Sequence, residues 1–329
     1  MSRALLALVF CLLLPTIALA TDDGAFRDGL AEFKREVAER HGFADQTLAL
    51  WFADVELQQA ILDAISRPAE RVRPWHEYRE IFLTERRIAG GVEFWREHDA
   101  ALRSIAAEYG VAPEIIVAII GVETLYGRIT GRWRVLDALA TLAFAYPPRA
   151  AFFRRELEQF LLLSREERLE PRAALGSYAG AMGPPQFIPS SYRAYAVDGS
   201  GNGRRDLFHD WDDVLASVAN YFKVHGWRDG EPVAQPAEVA ANWPGRHPAN
   251  SLELGSTVAG LQAEGYEFTS ALPAEAPAMM VRLDGVDADE LWVGYHNFRV
   301  ITRYNRSVMY ALAVYQLSQA IRDRMEGDE

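Results

Sequence analysis

The stretch Pro113–Gly127, PEIIVAIIGVETLYG, decides the fold because it contains one apolar helix together with its start and stop signals. Proline suits the first turn of a helix, and glycine commonly follows the last. Apolar residues recur at helical spacing along one predicted face, and a carboxylate takes the next place on it. The residues of this face are Ile116, Ile119, Ile120 and Glu123.

Glu123 is the candidate acid–base residue of the chain. A buried carboxylate that lacks a partner is costly to ionise, so its pKa usually rises. A carboxylic acid that keeps its proton near neutral pH can act as a general acid. The alternative is a structural glutamate bonded to Arg128, Arg132 or a backbone amide, and periodicity alone leaves both interpretations open.

A second unusual segment is Gly176–Ser190, GSYAGAMGPPQFIPS. Its glycines, prolines and small residues predict an irregular, closely packed loop. Ser177, Tyr178 and Gln186 would give this stiff frame a few polar groups, which is typical of the wall of a binding site. A purely structural connection between two helices would have the same composition.

The loop Asp198–Arg204, DGSGNGR, resembles the first half of a helix–loop–helix calcium loop. Oxygen-bearing side chains stand at positions 1, 3 and 5, glycine stands at position 6, and position 7 needs only a backbone carbonyl. His209 occupies position 12 instead of the usual glutamate, so Asp212 or Asp213 would have to supply the last carboxylate. The alternative is a polar turn that binds no metal.

Helical periodicity extends on both sides of these segments. It runs from Asp22 to Tyr109 and continues, with loops, to about Gly226. Prolines then interrupt the chain, and Met279–Leu283 and Glu290–Val293 have the composition of strands. Helical spacing returns from Ser307 to Met325 and predicts a closing helix.

These patterns predict a mainly α protein with a small β-containing subdomain. A chain of 329 residues is long for one compact core, so several units are expected. We predict a signal peptide over 1–20, an N-terminal helical domain over 21–110, a catalytic core with the calcium-type loop over 111–230, a β-containing subdomain over 231–295, and a segment and helix that close the site over 296–329.

The N-terminus has the pattern of a secretory signal peptide. Arg3 precedes an apolar run from Ala4 to Leu14, and small residues at Ala18 and Ala20 suit cleavage after Ala20. A membrane anchor would need about 20 apolar residues, and this run is shorter. The single cysteine, Cys11, follows the large residue Phe10, which argues against lipidation.

Composition excludes several classes of function. The chain carries 34 basic and 46 acidic residues; removal of the segment with Arg3 changes its formal charge from −12 to −13. This acidity argues against nucleic acid or an anionic membrane surface as a partner. Beyond Cys11 there is no cysteine for a disulfide or thiolate nucleophile. The sequence also has no zinc-protease, serine-hydrolase or Walker motif.

Five long phrases resemble the lytic murein transglycosylase B family, and the likeness extends from about residue 25 to 322. The phrases are GVETLYG at 121, VLDALATLAFAYPPRAAFF at 135, GSYAGAMGPPQFIPSSY at 176, SVANYFKVHGW at 217 and NFRVITRYNRS at 297. The resemblance implies a lysozyme-like helical core with a flanking helical domain and a small β-domain. It also implies cleavage of the β-1,4 bond between N-acetylmuramic acid and N-acetylglucosamine, with a 1,6-anhydromuramoyl product.

The resemblance assigns roles to individual positions. Glu123 matches the family's single catalytic acid–base. The positions that match sugar contacts are Tyr78, Arg149, Ser177, Gln186, Tyr221, Tyr304, Asn305 and Tyr310. The positions that match the calcium loop are Asp198, Ser200, Asn202, Arg204 and Asp213. Pro148 departs from relatives that have a second arginine before Arg149, and the segment from His209 to Asp212 is slightly longer than in some relatives.

The same resemblance defines the expected chemistry and partners. One glutamate suffices if the substrate's acetamido group and its own C6 hydroxyl complete the reaction. We therefore expect no cofactor for chemistry, a structural Ca²⁺, and a periplasmic monomer that acts on peptidoglycan glycan strands. Proteins of cell-wall synthesis or remodelling are further expected partners. The alternatives are a hydrolytic muramidase with a second carboxylate and a non-catalytic peptidoglycan-binding scaffold.

Overall fold

The computed structural model describes residues 23–66 and 73–327. The predicted signal peptide and Cys11 lie outside the described residues. The described chain is mainly α-helical with a small antiparallel sheet, as the sequence predicts.

The helices follow one another along the chain, and five of the strands fall together between α11 and α13. The helices are α1 (Asp23–His41), α2 (Asp45–Trp51), α3 (Gln59–Ile65), α4 (Trp75–Phe82), α5 (Glu85–Glu97), α6 (Asp99–Tyr109), α7 (Pro113–Thr124), α8 (Val135–Ala145), α9 (Ala150–Glu167), α10 (Pro189–Tyr195), α11 (Trp211–Val224), α12 (Val258–Ala263), α13 (His296–Tyr304) and α14 (Val308–Gly327). The strands are β1 (Trp133–Arg134), β2 (Leu175–Gly176), β3 (Ala234–Val239), β4 (Ser256–Thr257), β5 (Tyr266–Glu267), β6 (Pro277–Asp284) and β7 (Asp289–Gly294).

Helix α7 is the centre of the helical core. It packs against α5, α6, α11 and α14, and its residues from Ile115 to Val122 are all buried. A helix that is apolar on every face is stable only where other elements surround it. The isoleucines predicted to share one apolar face are buried, and the other faces of this helix are buried as well over most of its length.

No single helix among the described residues is long and apolar enough to cross a membrane. Helices α6 and α7 reach the required length and composition only as a pair, and they are bent by 114° relative to each other.

The second layer is a five-stranded antiparallel sheet with the strand order β4-β6-β7-β3-β5. Met280 opposite Val293 fixes the register of its central hairpin. The composition of 279–283 and 290–293 thus predicted β6 and β7, each of which extends beyond the predicted segment. The short pair β1–β2 lies outside this sheet and was not predicted.

Helix α4 attaches this sheet to the helical core. The indole Nε1 of Trp75 donates to Glu290 of β7 at 3.0 Å, and the guanidinium of Arg79 donates to the same carboxylate at 2.9 Å. A carboxylate that accepts hydrogen bonds from two residues of one helix fixes the position of that helix on the sheet. The sheet and α4 are thereby fixed beside the C-terminal helix α14, which α4 also contacts.

Replacement of Gly121 by alanine is predicted to destabilise the fold. A Cβ at this position would lie 2.6 Å from the hydroxyl oxygen of Tyr126, inside van der Waals contact. We expect Gly121→Ala to lower the free energy of unfolding by about 1–3 kcal/mol, despite the better helix propensity of alanine. Urea unfolding followed by circular dichroism measures this change.

Gly255→Ala is the matched control, because no atom lies within 4 Å of a Cβ built there. Its free energy of unfolding is expected to stay within about 0.5 kcal/mol of the unmodified protein. Equal stability of both variants would contradict the close packing of Tyr126 on α7.

Candidate active site

The candidate site forms where the C-terminal end of α7 meets the start of α14. The phenolic hydroxyl of Tyr310 donates a hydrogen bond of 2.5 Å to Oε1 of Glu123. Tyr310 is buried, but Glu123 is only half-buried, so the expectation of a fully buried glutamate is wrong. Partial exposure leaves the carboxylate accessible from the solvent side, which a group that acts on a polymer requires.

The arginines considered as structural partners of Glu123 have other recorded contacts. The guanidinium of Arg128 lies 3.4 Å from the carboxylate of Glu93. The guanidinium of Arg132 lies over the ring of Trp133, 5.3 Å from its centroid. Tyr310 is a neutral hydrogen-bond donor to Glu123.

Tyr310 remains a hydrogen-bond donor at neutral pH. Burial raises its pKa well above 10, and the nearby negative charge of Glu123 raises it further. Tyr304 behaves in the same way, since burial and the charge of Glu123 raise its pKa well above 10. Among the described residues, Glu123 is the one carboxylate named among the main causes of the raised pKa values of Tyr304 and Tyr310.

Glu123 is followed by a strained turn. Leu125 and Tyr126 have φ values of 51° and 60°, which residues other than glycine rarely adopt. Two hydrogen bonds fix this turn: the hydroxyl of Tyr126 donates to the carbonyl of Arg87 at 2.6 Å, and the guanidinium of Arg87 donates to the carbonyl of Gly121. Such strain persists only where the surroundings over-determine the backbone, and it commonly marks functional sites.

The glycine- and proline-rich loop packs directly on this turn. The hydroxyl of Thr124 donates to the carbonyl of Pro184 at 2.9 Å and so joins the residue after Glu123 to the loop. A Cβ at Gly131 would lie 2.0 Å from the carbonyl oxygen of Gly176, so only glycine permits this approach. The loop therefore packs directly on the turn that follows Glu123.

Within the loop, the two polar side chains predicted as contacts are held in place. The hydroxyl oxygen of Ser177 accepts from the amides of Ala179 and Ala181 at 3.3 and 3.0 Å. The amide nitrogen of Gln186 donates to the carbonyls of Thr130 and Gly183 at 3.1 and 2.9 Å. Because the nitrogen of Gln186 is used inside the protein, its Oε1 is the atom that can accept a bond from a ligand.

Aromatic rings line the opposite side of the loop. The hydroxyl of Tyr304 donates to the carbonyl of Pro185 at 2.7 Å, which places the end of α13 against the loop. Its ring centroid lies 4.8 Å from that of Tyr221, and the ring of Tyr221 stacks on His225 at 4.1 Å. Burial raises the pKa of Tyr221 to about 12.

The remaining predicted contacts lie on three different elements of the fold. Tyr78, on α4, is buried and lies close enough to Tyr310 to raise its pKa slightly, after burial and the charge of Glu123. Asn305 follows α13 directly after Tyr304. Arg149 is exposed in a short 3-10 helix, with its guanidinium 4.3 Å from the ring centroid of Phe152. The described contacts do not bring Arg149 to Glu123.

The oxygen-rich loop is compact and is held from below by Asp213. One carboxylate oxygen of Asp213 accepts from the amides of Gly199 and Ser200 at 2.8 and 3.1 Å, and the other accepts from Asp206 at 2.7 Å. The carboxylate of Asp198 accepts from the amides of Asn202 and Gly203 at 3.0 and 2.7 Å. These bonds hold the backbone of the loop in a tight curl.

The donor chemistry of this loop fits a hard cation such as Ca²⁺. Asp198, Ser200 and Asn202 carry oxygen atoms at alternate positions, and Arg204 would contribute only its carbonyl. Asp213, the predicted source of the second carboxylate, anchors the loop through both of its carboxylate oxygens. His209 instead contacts the carboxylate of Asp206 at 3.2 Å, whereas the side chain of Asp212 is exposed.

Over residues 23–66 and 73–327, no group of three or more histidine, cysteine, aspartate or glutamate side chains is placed to hold a metal. The predicted ligand set is not such a group, because it contains only two carboxylates and otherwise uses hydroxyl, amide and backbone oxygens.

Sequence reasoning missed the residues that hold Glu123 in position. Thr124 stands inside the phrase that identified the helix, so its position beside Glu123 was a signal. Arg87 gave none, because it lies 34 residues before the carbonyl of Gly121 to which it donates.

Comparison with known proteins agrees with this geometry. The transglycosylase SLT domain family matches residues 25–319. The chain is 42% identical over 310 residues to the membrane-bound lytic murein transglycosylase B of Escherichia coli K12, a match that covers 91% of this chain and 84% of that protein.

Two solved structures are similar over nearly the whole chain. The soluble lytic transglycosylase SltB1 of Pseudomonas aeruginosa is 51% identical with a TM-score of 0.85, over 90% of this chain and 99% of that one. The Escherichia coli lytic transglycosylase Slt35 in complex with calcium is 41% identical with a TM-score of 0.81, over 90% and 93% of the two chains. By sequence and by fold, this chain belongs to the transglycosylase SLT domain family.

Proposed function

We propose that the protein is a lytic murein transglycosylase that cleaves the β-1,4 bond between N-acetylmuramic acid and N-acetylglucosamine and leaves 1,6-anhydromuramoyl ends. The observation that carries this proposal is the half-buried Glu123, held by Tyr310 at the end of a buried helix. The relatives at 42 and 51% identity are lytic transglycosylases, which supports the same class of enzyme.

In the first step Glu123 is the general acid. Because the hydroxyl of Tyr310 donates to Oε1, the acid form of Glu123 carries its proton on Oε2. That proton passes to the glycosidic oxygen as the bond to C1 of N-acetylmuramic acid breaks. The 2-acetamido group of the same sugar stabilises the positive charge that develops at C1, as in substrate-assisted glycosidases. Oε1 of Gln186 is a candidate acceptor for the N–H of that acetamido group.

In the second step the ionised Glu123 is the general base. It removes the proton of the C6 hydroxyl, whose oxygen attacks C1 and closes the anhydro ring. The hydroxyl is already part of the sugar, so little orientational freedom has to be lost. Tyrosine rings suit the face of a sugar because they combine an apolar surface with a polar tip. Of the predicted contacts Tyr78, Tyr221 and Tyr304, only Tyr304 is partly exposed, and it has this role in the proposal.

We further propose that the loop Asp198–Arg204 holds a structural Ca²⁺. Asp198, Ser200, Asn202, the carbonyl of Arg204 and Asp213 would be its ligands. The ion would neutralise the two carboxylates and fix the start of α11, which carries Tyr221. A relative at 41% identity was solved with calcium, which supports this proposal.

For the cellular setting, we propose export to the periplasm and action on the glycan strands of peptidoglycan. The pattern over residues 1–20 and the murein chemistry of the relatives support this setting. The large residue before Cys11 supports a form that is not lipidated.

The product mass tests the proposed reaction and its catalyst together. With purified peptidoglycan, we expect the unmodified protein to give anhydro products, each lighter by one water than the product of hydrolysis. Glu123→Gln should keep the fold and glycan binding but lose activity by about a thousandfold or more, because the amide can neither donate nor remove the proton. Mass spectrometry of the soluble fragments measures both outcomes.

Glu114→Gln is the matched control, since Glu114 lies on the same helix and pairs with Arg322 at 3.7 Å, away from Tyr310. It should retain full activity. Products heavier by one water would identify a hydrolytic muramidase, and no products from the unmodified protein would favour a binding scaffold.

Tyr310→Phe tests the hydrogen bond to Glu123. The ionised carboxylate loses its donor, so we expect kcat to fall by about tenfold to a hundredfold while KM changes little. We also expect the pH–rate profile to move to higher pH, because the ionised form is less stabilised. An unchanged profile would show that the bond does not tune the acid–base group.

Removal of calcium is expected to lower the melting temperature by a few degrees with little direct effect on kcat. Added Ca²⁺ should restore the original melting temperature. Mg²⁺ should restore it less well, because it requires a smaller, octahedral site. In Asp198→Asn the response to Ca²⁺ should be lost. The same melting temperature for the unmodified protein with chelator and with Ca²⁺ would exclude the proposed ion.

A further inference from the structure

A pocket of about 240 Å³ lies where the second half of α5, the turn after α7 and the start of α11 meet. We refer to it as the tryptophan pocket. The residues described as its lining include none of the sugar contacts that the resemblance predicts, so it is distinct from the candidate active site. The lining residues on which the inference depends most are Glu93, Phe94, His98, Tyr126, Arg128 and Trp211.

Four aromatic rings pack together in the tryptophan pocket. The ring centroid of Phe94 lies 5.5 Å from that of Tyr126, in a stacked arrangement, and 4.9 Å from that of Trp211, in an edge contact. The ring of His98 lies 4.5 Å from Phe94 and 5.3 Å from Trp211. Phe94 and Tyr126 are buried, whereas His98 and Trp211 are partly exposed. The pocket therefore presents aromatic surface to solvent.

Charged side chains surround this aromatic surface. The guanidinium of Arg128 lies 3.4 Å from the carboxylate of Glu93, and both side chains are exposed. Glu97 also lines the pocket and is exposed. Burial lowers the pKa of His98, so its ring is uncharged at neutral pH. Two carboxylates and one guanidinium leave the lining with a small excess of negative charge.

Trp211 is fixed against the turn that follows Glu123. It is the first residue of α11, and the carboxylate of Asp210 caps this helix by accepting hydrogen bonds from two backbone amides. A Cβ at Gly127 would lie 2.9 Å from the indole ring of Trp211, so glycine lets the ring lie close to the turn. A pocket whose aromatic side chain is held before binding loses less entropy when a ligand enters.

We propose that the tryptophan pocket is a second glycan site, which binds one uncharged N-acetylated sugar ring of a murein strand outside the candidate active site. This inference rests on the proposed function. The partly exposed indole of Trp211 offers a flat apolar surface to one face of a sugar ring. The carboxylates and the guanidinium beside it are planar groups that exchange hydrogen bonds with hydroxyl and acetamido groups. The volume of the pocket suits a single ring.

The charge of the pocket favours the sugars of murein over its peptide stems. The small excess of negative charge repels the carboxylates of the stems, whereas the sugars of a stem-bearing strand are uncharged. Aromatic rings beside carboxylates also attract organic cations. The guanidinium of Arg128, 3.4 Å from Glu93, opposes a cation there and so favours a neutral ligand.

A second glycan site increases the affinity of the enzyme for a polymer without changing the chemistry at Glu123. Insoluble peptidoglycan offers many sugar rings close together, so a ring in the tryptophan pocket keeps the enzyme near its next cleavage point. A short soluble substrate that fills only the candidate active site gains nothing from the pocket. The proposal therefore predicts a difference between polymer and oligomer.

Two substrates measure this difference: insoluble peptidoglycan and a soluble murein tetrasaccharide. We expect Trp211→Ala to release soluble products from peptidoglycan about fivefold to tenfold more slowly, because the stacking surface is lost. Its kcat/KM on the tetrasaccharide should stay within about twofold of the unmodified protein, since Glu123 is untouched. The Glu93→Gln/Arg128→Gln double variant should show the same difference while keeping the aromatic packing.

Trp51→Ala is the matched control. Trp51 is a partly exposed tryptophan on α2, with its ring centroid 5.7 Å from that of Phe43 and outside the pocket. Its ratio of the two rates should equal that of the unmodified protein. An equal loss on both substrates in Trp211→Ala would overturn the proposed second site, and so would an unchanged rate on peptidoglycan.

Chitobiose, an uncharged pair of N-acetylglucosamine rings, tests binding without turnover. In Glu123→Gln we expect the indole N–H resonance of Trp211 to shift with chitobiose at roughly millimolar concentration, and Trp211→Phe identifies that resonance by its absence. No shift would overturn the glycan site, as would a shift with tetramethylammonium but none with chitobiose. Failure of the unmodified protein to form anhydro products would instead refute the proposed function, and the chitobiose measurement does not depend on that reaction.

Discussion

The hydrogen bond from Tyr310 to Glu123 joins two helices that are 187 residues apart in the chain, and the geometry of the site depends on it. Helix α7 is apolar and enclosed, so its one carboxylate near the C-terminal end needs a partner. A buried tyrosine supplies a neutral donor that keeps its proton, because burial and the charge of Glu123 both raise its pKa. A neutral partner leaves Glu123 able to gain and lose a proton, whereas a paired arginine would favour the ionised form throughout.

Helix α7 keeps this carboxylate in place through strain in the turn that follows it. Leu125, Tyr126 and Gln186 all have positive φ angles, and they lie in the two segments that Thr124 joins. Contacts from Arg87 and from the close approach of Gly131 to Gly176 hold these conformations. These contacts fix the backbone around the proposed acid–base group, and a preorganised backbone favours electrostatic catalysis.

The sheet is tied to the helical core through one carboxylate. Glu290 on β7 accepts hydrogen bonds from both Trp75 and Arg79 of α4. The helix that carries Tyr78, a predicted sugar contact, is thereby held against the strands of the sheet.

Local sequence patterns were enough to predict these elements. Hydrophobic periodicity and composition predicted α7, the closing helix α14 and strands β6 and β7, and the spacing of oxygen-bearing residues and glycine predicted the oxygen-rich loop. Each of these signals depends on only a few neighbouring residues. The phrase around Glu123 also identified the acid–base candidate. Only the tertiary structure decided that α7 is enclosed on every face and that Glu123 is nevertheless half-exposed. It alone brought Arg87 to Gly121, and Phe94 and His98 to Trp211 in one pocket. These contacts join residues far apart in the chain, and packing between helices determines them, which no local pattern of residues encodes.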